Sequence, residues 1–144
     1  MKIEKVLIAV DDLVFGAAIT EFVTHHDWPP GSMVLVLHVV QPIPPTDPLF
    51  IEQSVEQETN QGQDLVTQIS TDIKAILQQN CSIDAKVEWG DPKETILNVA
   101  SDWKASMIVM GSHGRHGLDR LIMGSVSMAI MSQAHCSVTV VRLP

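Results

Sequence analysis

The stretch Val109–Ser125, VMGSHGRHGLDRLIMGS, decides how this chain is read. It overlaps the end of an apolar strand, Met107–Met110, and leads into a helix predicted over about Gly124–Ala134. Glycines stand at 111, 114 and 124, with Ser125 beside the last. A glycine-rich strand-to-helix turn lets main-chain amides approach an anion that a Cβ would block. The first amides of the following helix have no intrahelical partner and carry partial positive charge. The segment therefore has the form of a phosphate cradle that needs no strong cation, although Arg115 and Arg120 stand nearby. The plain alternative is a surface loop with ordinary turn glycines.

Outward from this stretch, strand-like and helix-like patterns alternate. Ile3–Val10 is a short apolar run suited to a strand covered on both faces, and Met33–Val40 (MVLVLHVV) is a second. Between them Phe15, Ala18, Ile19, Phe22 and Val23 follow helical spacing, ended by Pro29, Pro30 and Gly31. Gln41–Phe50 holds four prolines and reads as a stiff loop. Ile51–Gln79 reads as one long helix, amphipathic through Leu65, Ile69, Ile73, Ile76 and Leu77. Its first half is polar almost all round, so it is expected to project or fray, with Gly62 as an interruption and its acidic residues solvated. Ile83–Trp89 alternates apolar and charged residues, as an edge strand does. Asp91 and Pro92 fit the cap and first position of a third helix, whose buried stripe is Ile96, Val99, Ala100 and Trp103. Ser137–Val141 (SVTVV) is the last strand.

The order βαβαβαβαβ predicts a single domain over residues 1–144, α/β in class, with a doubly wound five-stranded parallel sheet and helices on both faces. In such sheets ligands bind beyond the carboxyl ends of the strands, where the strand order reverses. With the order 3-2-1-4-5, Asp11-Asp12 and Gly111–Gly117 face one crevice.

Composition narrows the function. The net charge of -8 argues against nucleic-acid or anionic-membrane partners and makes the overall field oppose an anionic ligand, so a phosphate site must be locally favourable. No apolar run approaches the ~20 residues of a spanning helix. The opening MKIEKVLIAV breaks at Asp11-Asp12 and suits a first strand better than a signal peptide. Cys81 and Cys136 form no C-x-x-C pair and read as structural thiols of a reducing cytoplasm. The histidines have no metal-ligand spacing: His25 and His26 suit helix-end carbonyls, His38 a satisfied core position, and His113 and His116 either exposed loop positions or contact with a phosphate or a general-acid role. Met107, Met110, Met123, Met128 and Met131 read as core filling, with Met110 also in the motif.

Neither standard nucleotide motif is present. A Walker loop needs Gly-Lys-[Ser/Thr], and Gly124-Ser125 lacks the lysine; the dinucleotide fingerprint needs G-x-G-x-x-G after the first strand, which here ends in Asp11-Asp12. The pattern present is Gly111-x2-Gly114-x9-Gly124-Ser125. With KVLIAVD (5–11), LVLHVV (35–40), GDPKETIL (90–97), SMIVMGSHGRHGLDRLIMGSVS (106–127) and CSVTVVR (136–142), the chain resembles the universal stress protein family, specifically its ATP-binding branch.

That resemblance implies a homodimer through strand 137–141 and an adenine nucleotide over the carboxyl ends of the first and fourth strands. Ala9 and Asp11 would flank ribose and adenine, Val39 would lie near the base, and Met110 and Gly111 would border the ribose. Gly114, Gly124, Ser125 and Val126 would hold the phosphates of ATP, with Mg²⁺ bridging phosphate oxygens outside any protein cage. The implied function is a cytoplasmic stress-response regulator acting as a nucleotide-dependent switch or dimer, with a protein partner of unknown identity. Two readings stay open at Asp11, contact with the ligand or capping of the first helix. Two also stay open at Ser125, a hydroxyl given to phosphate or a plain cap. The family usually has a small pair such as Gly-Ser after the first aspartate. Asp12-Leu13-Val14-Phe15 departs from that, and the second carboxylate and bulky neighbours are expected to reshape the base pocket or repel the nucleotide. A dimeric scaffold or chaperone-like protein without nucleotide is the competing function. No nucleophile with a paired base and no catalytic carboxylate pair is evident, which leaves slow ATP hydrolysis or autophosphorylation as the chemistry in question.

Overall fold

Two apolar runs supply the middle of the sheet. Lys5–Ala9 forms strand β1 and Met33–Val40 forms β2, and seven consecutive residues of β2, from Val34 to Val40, are buried. A run buried at successive positions suits a strand with helices on both faces, because successive side chains point to opposite sides. The computed structural model describes residues 2–42, 48–113 and 123–143, and of residues 48–54 the backbone only.

The remaining elements are helix α1 (Leu13–Thr24), helix α2 (Pro48–Leu77), strand β3 (Ser82–Trp89), helix α3 (Pro92–Trp103), strand β4 (Met107–Gly111), helix α4 (Ser125–Gln133) and strand β5 (Ser137–Val141). All the strand pairings are parallel, and the order is β3-β2-β1-β4-β5. The reversal lies between β1, which pairs with β2 through Leu7↔Leu35, and β4, which pairs with β1 through Leu7↔Ile108. Alternate residues of β1 divide the core. Val6 and Ile8 pack with Ile19 and Val23 of α1 and Val66, Ile69 and Ile73 of α2; Leu7 packs on the other face with Ile96 of α3 and Ile130 of α4. Each such side chain, fully buried, contributes about 1.5–3 kcal/mol.

β3 is an edge, as its charged face predicts, and Lys86 and Glu88 pair across that face at 3.0 Å. β5 is the opposite edge, with Val138–Val141 all half-buried. Cys81 and Cys136 are free thiols. His25 Nδ1 lies 2.8 Å from the Glu21 carbonyl at the end of α1, the helix-end contact expected of it.

Four expectations need correction. α2 is continuous from Pro48, so the predicted loop Gln41–Phe50 ends earlier; residues 43–47 lie outside the described residues. Gly62 does not interrupt α2. A Cβ there would stand 2.6 Å from Cδ2 of His38, so glycine lets the helix pass directly over that ring. The polar first half of α2 does not project at Thr59, where the Trp89 indole N–H donates to Oγ1 at 3.1 Å and ties the helix to the end of β3. Finally, Ile76, Met128 and Met131 are exposed by 61%, 53% and 44%, so they fill no core.

Candidate functional site

β1 ends in two aspartates with different tasks. Asp12 is the N-cap of α1, and its Oδ1 accepts the Phe15 N–H at 2.8 Å. The capping role left open for Asp11 therefore belongs to its neighbour. Asp11 stays at the carboxyl end of β1, where its Oδ1 lies 3.9 Å from Nδ1 of His38. Leu13 and Val14 point to solvent, at 55% and 63% exposure. Of the bulky residues after Asp11, only Phe15 turns inward. Its ring lies against Gly111, where a Cβ would come within 2.6 Å of a ring carbon. Gly111 is thus a packing requirement of this chain as well as part of the glycine motif.

The β4–α4 connection sets the other wall. The Gly124 N–H donates to the Ser112 carbonyl at 2.8 Å, and the buried Ser127 hydroxyl donates to the Gly111 carbonyl at 2.8 Å. These bonds hold the start of α4 beside the end of β4. The N-cap of α4 is Gly124, in extended conformation and with no side-chain cap. Ser125 is the first helical residue, so the plain-cap reading of its side chain fails; it is exposed, and no described residue bonds its hydroxyl. Among the described residues, the N-cap of α4 supplies no side-chain acceptor to the helix's first amides, an arrangement that favours an anion.

The third wall comes from β2 and α2. His38 is buried, and its Nδ1 lies 2.8 Å from the Val10 carbonyl, the satisfied position expected of it. A carbonyl only accepts, so Nδ1 carries the proton of the neutral ring. Val39, Val40, Gln41 and Pro42 continue the wall, with Glu58 of α2 across from them.

Together these elements enclose a cleft of about 520 Å³ at the carboxyl ends of the strands. That lies within the roughly 300–1,000 Å³ usual for small-molecule sites. Ala9, Asp11, Val39, Met110, Gly111, Gly124, Ser125 and Val126 all line it. Gly114 lies outside the described residues, as do Arg115, His116 and Arg120. No Lys or Arg stands among the described lining residues, while Asp11 and Glu58 do. Among the described lining residues, the groups that can donate to an anion include main-chain amides, the Ser125 hydroxyl and the His113 ring. Among the described residues no group of three or more His, Cys, Asp or Glu is placed to hold a metal ion.

Sequence reading missed Phe15, Glu58, Pro92 and Ile96 as lining residues and gave His38 only a core role. Gly62 was the available signal for His38, since a glycine inside a helix marks a close approach. Nothing local marks Glu58. A second depression, at the amino ends of the strands, is lined by Lys2, Lys5, Lys104 and His135. Lys5 there is committed to the Trp103 carbonyl at 3.0 Å.

The chain was compared with known proteins. The model of the universal stress protein family matches residues 2–142. Universal stress protein A homolog 2 of Coxiella burnetii is 43% identical over 67 residues, which are 46% of this chain and 45% of that protein. The chain thus spans less than half the length of that relative. A universal stress protein of Thermus aquaticus is 29% identical over 114 residues, 78% of this chain and 79% of that one. Among solved structures, the universal stress protein UspA of Lactobacillus plantarum superposes with a TM-score of 0.79 at 20% identity, covering 99% of both chains. A universal stress protein family protein of Arabidopsis thaliana, with AMP bound, has a TM-score of 0.66 at 19% identity, covering 98% of this chain and 92% of that one. The universal stress protein of Archaeoglobus fulgidus in complex with dAMP has a TM-score of 0.63 at 17% identity, covering 99% and 100%. At these identities the structural likeness establishes the fold.

Proposed function

The chain belongs to the universal stress protein family, and we propose on that premise that its cleft binds an adenine nucleotide, ATP, and that binding regulates the protein in a stress response. One observation carries the reading: α4 opens on Gly124 without a side-chain cap, into a cleft at the strand-order reversal. Solved relatives of the same fold hold AMP and dAMP, which supports the class of ligand.

In this reading the opening amides of α4 and the Ser125 hydroxyl take the phosphates, with Gly114 in the same cradle. Ala9, Asp11, Met110 and Gly111 border ribose and adenine, and Val39 lies beside the base. A divalent cation such as Mg²⁺ would neutralise phosphate charge that Asp11 and Glu58 otherwise repel. Coupling to assembly has a short route. The Ser112 N–H donates to the Val141 carbonyl at 3.0 Å, so the main chain leaving the cleft is bonded to the end of β5. β5 is the edge through which we propose a homodimer. A nucleotide acts as a switch there only to the extent that it binds one state more tightly. Among the described residues no helix is long and apolar enough to cross a membrane, and the proposed location is the cytoplasm. The nucleotide-free scaffold loses its main support, because Asp12 is spent on α1 and Leu13 faces solvent.

The test is calorimetric titration with ATP and Mg²⁺. Hydrogen bonds to a charged group are worth roughly 1.5–3 kcal/mol, so Ser125→Ala weakens binding about tenfold or more. Gly124→Val does worse, since its side chain occupies the place of a phosphate. Unchanged ATP affinity in Gly124→Val would refute the assignment. Light scattering with and without ATP reads the proposed dimer.

A further inference from the structure

We propose that Glu58 selects the base, favouring a purine with a 6-amino group over one with a 6-oxo group. This inference rests on the nucleotide reading of the cleft. Glu58 lies one helical turn before Gly62 on the same face of α2, and Gly62 stands directly over His38. Glu58 thus lies one turn beyond the His38 contact, and it lines the cleft together with Val40, Gln41 and Pro42 at the end of β2. Its turn is held in place, because the next residue, Thr59, accepts from Trp89, and Trp89 pairs with Val40 in the sheet. Glu58 is half-buried, yet no hydrogen bond or ion pair from a described residue engages its carboxylate. A partly desolvated carboxylate without a donor favours a ligand that brings one.

Of the side chains at this end of the cleft, Glu58 and His38 are matched to a donor, while the Gln41 carboxamide can serve either a donor or an acceptor. An ionised carboxylate only accepts, and the Nδ1–H of His38 is already given to the Val10 carbonyl. An exocyclic 6-amino group offers two N–H donors. A 6-oxo purine presents an acceptor at that position and carries its donor at N1 instead, so a carboxylate set against the 6-position meets an acceptor. A site built to receive a donor rejects the analogue that lacks it far more strongly than an apolar pocket does. The opposite end of the cleft, at α4, makes no such distinction, because ATP and ITP carry the same triphosphate.

The experiment titrates the wild-type chain, Glu58→Ala and Glu58→Gln with ATP and with ITP, each with Mg²⁺, by calorimetry. Thermal unfolding checks that both variants fold; position 58 is a helix site where Ala and Gln are good formers. The wild type is expected to bind ATP about tenfold or more tighter than ITP. Glu58→Ala brings the ratio near one by weakening ATP. Glu58→Gln brings it near one by strengthening ITP, because a carboxamide turns to donate to the 6-oxo oxygen. A wild-type ratio near one, or a ratio unchanged in both variants while nucleotide still binds, overturns the role of Glu58 and leaves the cleft reading intact. A wild-type chain that binds neither nucleotide overturns both.

Discussion

Replacing Asp12 separates two accounts of the second aspartate after β1. On one account its carboxylate repels the nucleotide. On the structural account it is the cap of α1, with Oδ1 accepting the Phe15 N–H at 2.8 Å. The second account sets an order of stabilities. Asp12→Ala removes the acceptor and the charge together, and loss of such a cap costs about 1 kcal/mol, within roughly 0.5–2. Asp12→Asn keeps an acceptor and loses only the favourable meeting of a negative charge with the helix N-terminus, about 0.3–1 kcal/mol. For a chain of this length 1 kcal/mol shifts the melting temperature by about 4 °C. Asp12→Ala should therefore melt about 4 °C below the wild type, with Asp12→Asn between them. Scanning calorimetry reads this difference, and titration with ATP supplies the second readout. Affinity should be unchanged in Asp12→Asn, since the charge removed was turned toward α1. An asparagine variant that binds ATP tenfold tighter, or an alanine variant that melts with the wild type, would refute the capping account.

Two further outcomes follow from packing and titration. Gly111→Ala places a Cβ 2.6 and 2.7 Å from two ring carbons of Phe15, an overpacking that costs about 1–3 kcal/mol and lowers the melting temperature by roughly 4–12 °C. Adding Phe15→Leu should recover most of that loss, and an unchanged melting temperature in the single variant would contradict the contact. Burial raises the Cys81 thiol above its ordinary value of 9.0. The folded chain holds this proton more tightly than the unfolded chain does. The resulting stability is fully present below about pH 9 and is lost as pH rises through the folded value. Thermal scans between about pH 8 and about pH 10 should show an alkaline fall that is smaller in Cys81→Ala than in the wild type.

The element order and the parallel sheet were legible in the chain. Val34–Val40 can only be a strand covered on both faces, and Asp91-Pro92 can only open a helix, because these are short-range facts of periodicity and backbone conformation. Eight of the nine residues expected at the site line one cleft for the same reason: they sit at strand ends and at a helix start, and the sheet topology then gathers them. What sequence alone left open was decided by contacts between distant residues. Which aspartate caps α1 depends on the direction each carboxylate takes as the chain leaves β1. Gly62 is explained only by the His38 ring beneath it, and Gly111 only by Phe15. Glu58 belongs to the cleft because α2 crosses the end of β2, and no pattern along α2 records that crossing. Local sequence carries the preferences of the main chain. Which side chains share a wall is set by how helices lie on the sheet, and that is a property of the packed molecule.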